Sequence, residues 1–89
     1  MAYLLVRHTA DDYSKWRPVF DDHEAMRKAG GSKSARVFRN ADNPNEIVLL
    51  MEWDEIERAR EFGTSEDLRQ AMEKAGVVGR PDVLFLEEA

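Results

Sequence analysis

The stretch Glu46-Ile47-Val48-Leu49-Leu50-Met51-Glu52-Trp53 decides how the rest of the chain is arranged. Ile47 to Met51 are consecutive apolar residues, β-branched or long and aliphatic, with a carboxylate on either side. Neighbouring residues of a strand point to opposite faces of a sheet, so an apolar run without alternation reads as a strand covered on both sides. A chain of 89 residues carries few helices, enough for one face. The second face needs another cover, and a second copy of the chain is the simplest.

The neighbouring segments supply the remaining elements. Tyr3 to Thr9 reads as the first strand, with Leu4, Leu5 and Val6 as a second unbroken apolar run and Arg7-His8 near its end. Asp11 or Asp12 supplies the N-cap of a helix that runs to about Lys28. Pro18 is expected to kink that helix or weaken its first turn, and Gly30-Gly31 to stop it. Ser34 to Arg39 reads as the second strand, with Arg36 and Phe38 on one face and Val37 and Arg39 on the other, a mixed pattern suited to an edge. Asn40 to Asn45 is dense in turn formers and joins it to the organising strand as a hairpin. Asp54 and Glu57 form a capping-box start for a second helix, which turns Ile56, Ala59 and Phe62 inward and stops at Gly63. Ser65 opens a third helix with Leu68, Ala71, Met72 and Ala75 inward, ended by Gly76. A loop through Gly79-Arg80-Pro81 leads to a last strand, Val83 to Leu86.

This order, β-α-β-β-α-α-β, is that of an α+β, ferredoxin-like domain spanning residues 1–89, with one antiparallel sheet and its helices on one face. In that topology the first and third strands are central, and they are the two with unbroken apolar runs. The open face would then carry an apolar patch of the kind that marks an interface, here with a second copy of the chain.

Composition narrows the partners. The formal net charge is −5, a poor match for the phosphate backbone of nucleic acid. RNA-recognition modules share this topology, but they place base-stacking aromatics in a basic, glycine-containing motif that the third strand lacks. No apolar run approaches the roughly 20 residues that span a bilayer. The N-terminus lacks a basic region of the signal-peptide kind. The expectation is a cytoplasmic protein with no nucleic-acid or membrane partner. There is no cysteine, and so no disulfide, thiol nucleophile or thiolate metal site.

Tyr13, Trp16, Phe20 and His23 recur at spacings of three and four and form one helical stripe. A stripe built only for packing favours Leu and Ile, whereas three aromatics and an imidazole suit a pocket for a planar organic molecule. The alternative is an aromatic core with a hydrogen-bonded His. His8 and His23 are the side chains that titrate near neutrality without perturbation, and the topology lets both reach one cavity as general acid or base. Two His without a spaced carboxylate signature make no metal site, even with Glu52 and Asp54 nearby, so no metal is expected. Gly30-Gly31-Ser32-Lys33-Ser34 is superficially like a phosphate loop. It follows a helix and precedes a strand, the reverse of what anion binding needs, and reads as a helix stop.

Several segments together resemble a known family: Val6-Arg7-His8-Thr9, Asp12 to Phe20 with His23, Arg36 to Asn40, and Asn43-Pro44-Asn45-Glu46 leading to Glu52-Trp53. The chain is similar over nearly its whole length to the small bacterial cyclase-like proteins of the dimeric α+β barrel superfamily, related to the antibiotic biosynthesis monooxygenases. The resemblance implies a homodimer with a pocket between sheet and helices in each subunit. Relatives oxidise aromatic polyketides without a cofactor, cyclise or isomerise small acids, or bind and degrade haem. It implies Trp16, Tyr13 and Arg36 as counterparts of the Trp, Tyr and Arg around the monooxygenase pocket. The Asn that those enzymes also use has no counterpart outside the hairpin, and the later helix lacks the axial His of the haem-degrading relatives.

Two function classes follow. The first is a homodimeric small-molecule pocket protein acting on a planar or anionic metabolite as a cofactor-free cyclase, isomerase or monooxygenase. There His8 and His23 would be catalytic, Tyr13, Trp16, Phe20 and Trp53 would contact the substrate, and Arg36 would hold an anionic oxygen. The second is a non-catalytic ligand-binding or stress-associated dimer that uses the same pocket.

Overall fold

Ile47 to Met51 lies in a strand in which every second side chain is buried, and that alternation orients the whole sheet. The computed structural model describes residues 1–89. Its elements are β1 (Ala2–Ala10), α1 (Tyr13–Asp22), α2 (Glu24–Gly30), β2 (Ser32–Asn40), β3 (Asn43–Trp53), α3 (Ile56–Gly63), α4 (Glu66–Lys74) and β4 (Val77–Glu87). The four strands form one sheet in the order β2-β3-β1-β4, with every neighbouring pair antiparallel. The α+β, ferredoxin-like arrangement expected from sequence is present, and the two unbroken apolar runs lie in the two central strands. No helix is long and apolar enough to cross a membrane.

Register decides which residues meet the helices. Leu4 pairs with Met51, Val6 with Leu49 and His8 with Ile47, and all six are buried on the helix side. The intervening residues Tyr3, Leu5, Val48 and Leu50 point to the other face and are only half-buried. That face also carries Phe38 and Leu84, 42% and 52% exposed, and Leu86. Its polar border includes Arg7, which pairs with Asp82 at 2.8 Å. The helices therefore cover one side of the two central strands and leave the other apolar and open.

Three local expectations are corrected. The first helix is not continuous to Lys28. It breaks at His23 into α1 and α2, so the order is β-α-α-β-β-α-α-β. Pro18 stays inside α1. It and Ser14 are both exposed, so the Ser14 carbonyl that Pro18 cannot serve is left to solvent. The second correction is Asp54, which does not cap α3. Its carboxylate pairs with Arg58 at 2.6 Å, and Glu55 takes the cap position without a side-chain bond. Arg58 also donates to the Ala29 carbonyl at 3.1 Å, so the pair ties α3 to the end of α2. In the third, Gly79-Arg80-Pro81 is no loop before a short strand. It lies inside β4, where the register shifts between Arg7 and Thr9 of β1. This bulge faces His8, the one residue of that stretch without a β4 partner.

Other signals act as read. Asp12 Oδ1 accepts from the Ser14 amide at 2.9 Å and opens α1, and Ser65 Oγ accepts from the Leu68 amide at 3.1 Å and opens α4. The hairpin turn is tighter than Asn40 to Asn45, with Ala41 and Asp42 between the strands. Asn45 Oδ1 reaches the Tyr13 amide at 3.3 Å and ties the hairpin to the start of α1.

Gly31 ends α2 with φ of 117°, and a Cβ there would lie 2.6 Å from Asp54 Oδ1. Gly31→Ala is expected to destabilise the fold by about 2 kcal/mol through backbone strain and displacement of the Asp54–Arg58 pair. Urea unfolding of the two proteins measures it, and equal midpoints would contradict it.

Candidate functional site

Strand alternation fixes the first residue of the site. Even-numbered residues of β1 point toward the helices, and His8 follows Leu4 and Val6 into that layer. There it forms part of the floor of a cavity between the sheet and the helices, with Val6, Leu49 and Met51. One wall comes from α1 and α2, with Trp16, Val19, Phe20, Met26 and Arg27 around the intervening His23. The other comes from Phe62 of α3 and from Leu68, Ala71 and Met72 of α4, with Ala75 after it. The three polar side chains at the cavity are His8, His23 and Arg27.

Each of the three is held differently. His8 is 6% exposed, and neither ring nitrogen has a hydrogen-bond partner. A buried polar atom without a partner costs about 1–3 kcal/mol, so an imidazole with two is unusual outside a functional setting. Burial pushes its pKa down to about 4, which keeps the ring neutral at pH 7. The break between α1 and α2 positions the other two. Helix ends leave carbonyls without an amide four residues on. The Val19 carbonyl lies 2.9 Å from His23 Nδ1, and the Phe20 carbonyl accepts from Arg27 Nη1 at 2.7 Å. A carbonyl can only accept, so His23 Nδ1 carries a hydrogen, and the neutral ring then has its lone pair on Nε2.

The aromatic stripe is present, but it divides. Trp16 and Phe20 stack on each other at 5.0 Å with an interplanar angle of 12°, with Trp16 5.7 Å from the His8 ring. Tyr13 stacks behind Trp16 at 5.7 Å, outside the lining, with the Arg39 guanidinium 3.8 Å from its ring centroid. Trp53 is fully buried and packs on Phe62 at 5.1 Å, beneath the helices rather than at the cavity. Arg36 is on the open sheet face, opposite Leu50 in register and 5.0 Å from the Phe38 ring. The structure thus brings His8, Trp16, Phe20 and His23 together, leaves Tyr13 and Trp53 behind the walls, and puts Arg36 on the other side of the sheet.

Arg27 is a cavity residue outside the aromatic stripe as read from sequence. The spacings 13, 16, 20 and 23 continue to 27, so the stripe itself pointed to it. The cavity is narrow, about 50 Å³. Small-molecule sites usually enclose roughly 300–1,000 Å³, so a ligand has to spread the walls. Met26, Met72 and Leu68 are flexible side chains suited to that. No three His, Cys, Asp or Glu side chains converge as a metal-binding set.

With this geometry the chain can be set beside solved structures. SnoaB, a cofactor-independent oxygenase from Streptomyces nogalater, superposes with a TM-score of 0.79 at 13% identity, covering 99% of this chain and 92% of that one. A Bordetella bronchiseptica protein provisionally assigned as an antibiotic biosynthesis monooxygenase gives 0.82 at 11%, covering 99% and 96%. Rv0793 from Mycobacterium tuberculosis gives 0.73 at 19%, covering 99% and 94%. The chain has the antibiotic biosynthesis monooxygenase fold. At these identities the likeness is one of fold, and it agrees with the superfamily resemblance drawn from sequence. No protein-family model and no curated protein matches the sequence. Within the antibiotic biosynthesis monooxygenase fold, the cavity described above occupies the space between helices and sheet.

Neutral His8 makes stability depend on pH. Between the ordinary value of 6.5 and the folded value of about 4, the unfolded chain binds a proton that the folded chain refuses. The contribution of His8 is therefore full above 6.5 and is lost as the pH falls to about 4. Urea unfolding of the wild type and His8→Leu at pH 7 and near pH 4 isolates this effect. The wild type is expected to lose about 3 kcal/mol more than the variant over that interval. Equal losses would contradict a buried neutral imidazole.

Proposed function

We propose that the chain is a homodimeric small-molecule protein that binds a planar organic metabolite between helices and sheet and acts on it by cofactor-free proton transfer. Cyclisation, isomerisation or direct oxygenation would each begin that way. The observation that carries this reading is the meeting of two unlike imidazoles at one apolar cavity. His23, with Nδ1 anchored on a carbonyl and Nε2 free, is suited to be the base. His8, neutral and without hydrogen-bond partners, is suited to donate to an oxygen that gains charge when the proton leaves. Trp16 and Phe20 supply aromatic contacts for a ring at the cavity lining. Likeness of fold to a cofactor-independent oxygenase supports the same reading.

The dimer is proposed on the open sheet face. Tyr3, Leu5, Phe38, Val48, Leu50, Leu84 and Leu86 make one apolar surface there, and the two faces of identical copies are self-complementary under a twofold axis. The non-catalytic reading uses the same cavity for capture alone, and His8 with two unmet nitrogens is what favours chemistry over capture.

An anthrone is a suitable probe, because its methylene proton is acidic and its enolate reacts with dioxygen. One anthrone and one dioxygen give one anthraquinone and one water. The wild type is expected to consume oxygen faster than buffer. His23→Ala is expected to slow the reaction about a hundredfold while leaving anthrone binding within a few-fold, as for a lost general base. Binding without turnover in the wild type establishes the capture reading instead. Full turnover in the His8→Ala, His23→Ala double variant contradicts the assigned roles.

A further inference from the structure

We propose that α4 is the lid of this cavity, and that a ligand enters from the β4 side by displacing Leu68 and Met72. The inference rests on the proposed ligand cavity and adds the route into it. Val6 and Val83 are register partners on β1 and β4. Val6 lies in the cavity floor, and Val83 lines a second hollow of about 400 Å³ between α4 and β4. One sheet surface runs beneath both spaces. Leu68 and Met72 line both as well, so a ridge of these flexible side chains on α4 parts them. The β4 bulge keeps the outer hollow open: Gly79 lies in its lining, and a Cβ there would meet no heavy atom within 4 Å. The inner cavity alone is too small for a fused ring system. Joined to the hollow, it reaches the range usual for small-molecule sites.

α4 is also the helix least tied to the rest of the fold. Trp16 is buried in α1, Arg27 in α2 and Ala59 in α3, whereas α4 buries no residue. The other three helices each share a hydrogen bond with another element, through the Tyr13 amide to Asn45, Arg27 to the Phe20 carbonyl, and Arg58 to the Ala29 carbonyl. In α4 the ion pairs run from Arg69 to Glu66 and to Glu73, all within the helix, so they stiffen it without anchoring it. Its anchors lie at its two ends. Before it, Gly63 sits so close to Phe85 that a Cβ would lie 2.7 Å from the ring. After it, the Gly76 carbonyl accepts from the Asp11 amide at 2.9 Å, with Gly76 at φ of 81°. A stiff helix held at both ends and free between them rolls as a unit, which lifts Leu68 and Met72 off the ridge. The competing arrangement makes α4 a fixed wall and admits the ligand past Met26, 43% exposed beside the α1–α2 break.

Hydrogen exchange and binding kinetics on the full chain separate these. In the unliganded wild type, the hydrogen-bonded amides of α4 are expected to exchange about tenfold or more faster than those of α3. Anthrone binding is followed under nitrogen, where no oxygenation intervenes, by stopped-flow quenching of tryptophan fluorescence. The chain has no cysteine, so engineered thiols react alone. Arg69→Cys with Pro81→Cys, both lining the hollow, is joined by a short bismaleimide. The bridge is expected to slow association and release about tenfold or more relative to each single variant capped with a monomaleimide. Leu68→Ala with Met72→Ala is expected to speed both rates about tenfold, and Met26→Ala to leave both within about twofold. Equal exchange in α3 and α4 overturns the lid and leaves the ligand cavity standing. Unchanged rates in the bridged protein, or acceleration by Met26→Ala alone, overturn the route. If anthrone does not bind the wild type up to its solubility, the cavity reading and this one fall together. Should the double alanine variant fail to fold, wild-type exchange and the bridged protein still decide.

Discussion

Two central strands that are apolar on both faces impose the constraint from which the rest of the structure follows. Leu4 and Val6 of β1 and Ile47, Leu49 and Met51 of β3 bury their side chains against the helices. Leu5, Val48 and Leu50, from the same strands, face the other way and are only half-buried. Apolar burial contributes roughly 25 cal/mol per Å², and a domain of this length has little stability beyond it. A layer of four short helices can satisfy one side only. The proposed twofold assembly would cover the other and leave the helix side free to hold a cavity.

The cavity owes two of its three polar side chains to a break in that helix layer. A continuous first helix would bind the carbonyls of Val19 and Phe20 within its own ladder. At the break the Val19 carbonyl meets the His23 imidazole, and the Phe20 carbonyl, which keeps the His23 amide at 3.2 Å, also accepts from the Arg27 guanidinium. A second irregularity, the β4 bulge, lies opposite His8. Both interruptions of regular structure thus coincide with polar side chains in an otherwise apolar space, where ordinary packing would place none.

Much of the fold was legible because strand alternation, turn chemistry and caps are local signals. The central strands, the edge position of β2, the Gly31 and Gly76 stops and the Ser65 cap follow from residues near each other in sequence. Asp54 departs from the capping-box pattern because Arg58, four residues on, takes its carboxylate while donating to the distant Ala29 carbonyl. Gly79-Arg80-Pro81 looks like a loop in isolation and becomes a bulge only because β1 pairs on either side of it. For the site, helical periodicity grouped Trp16, Phe20 and His23, and the end of the first strand gave His8. Arg36 and Arg39 show the limit. Their opposite faces were evident, but the helix side falls to Arg39, because the β2–β3 register sets Arg36 beside Leu50 and Arg39 beside Ile47. Arg27 continues the stripe, but a charged residue on a helix reads by default as solvated.

The mass of the particle in solution tests most directly whether the open sheet face is covered. Sedimentation equilibrium on the full chain at micromolar concentration is expected to give twice the 10.3 kDa chain mass. A folded, stable species of 10.3 kDa would contradict the claim that the open sheet face is covered by a second copy.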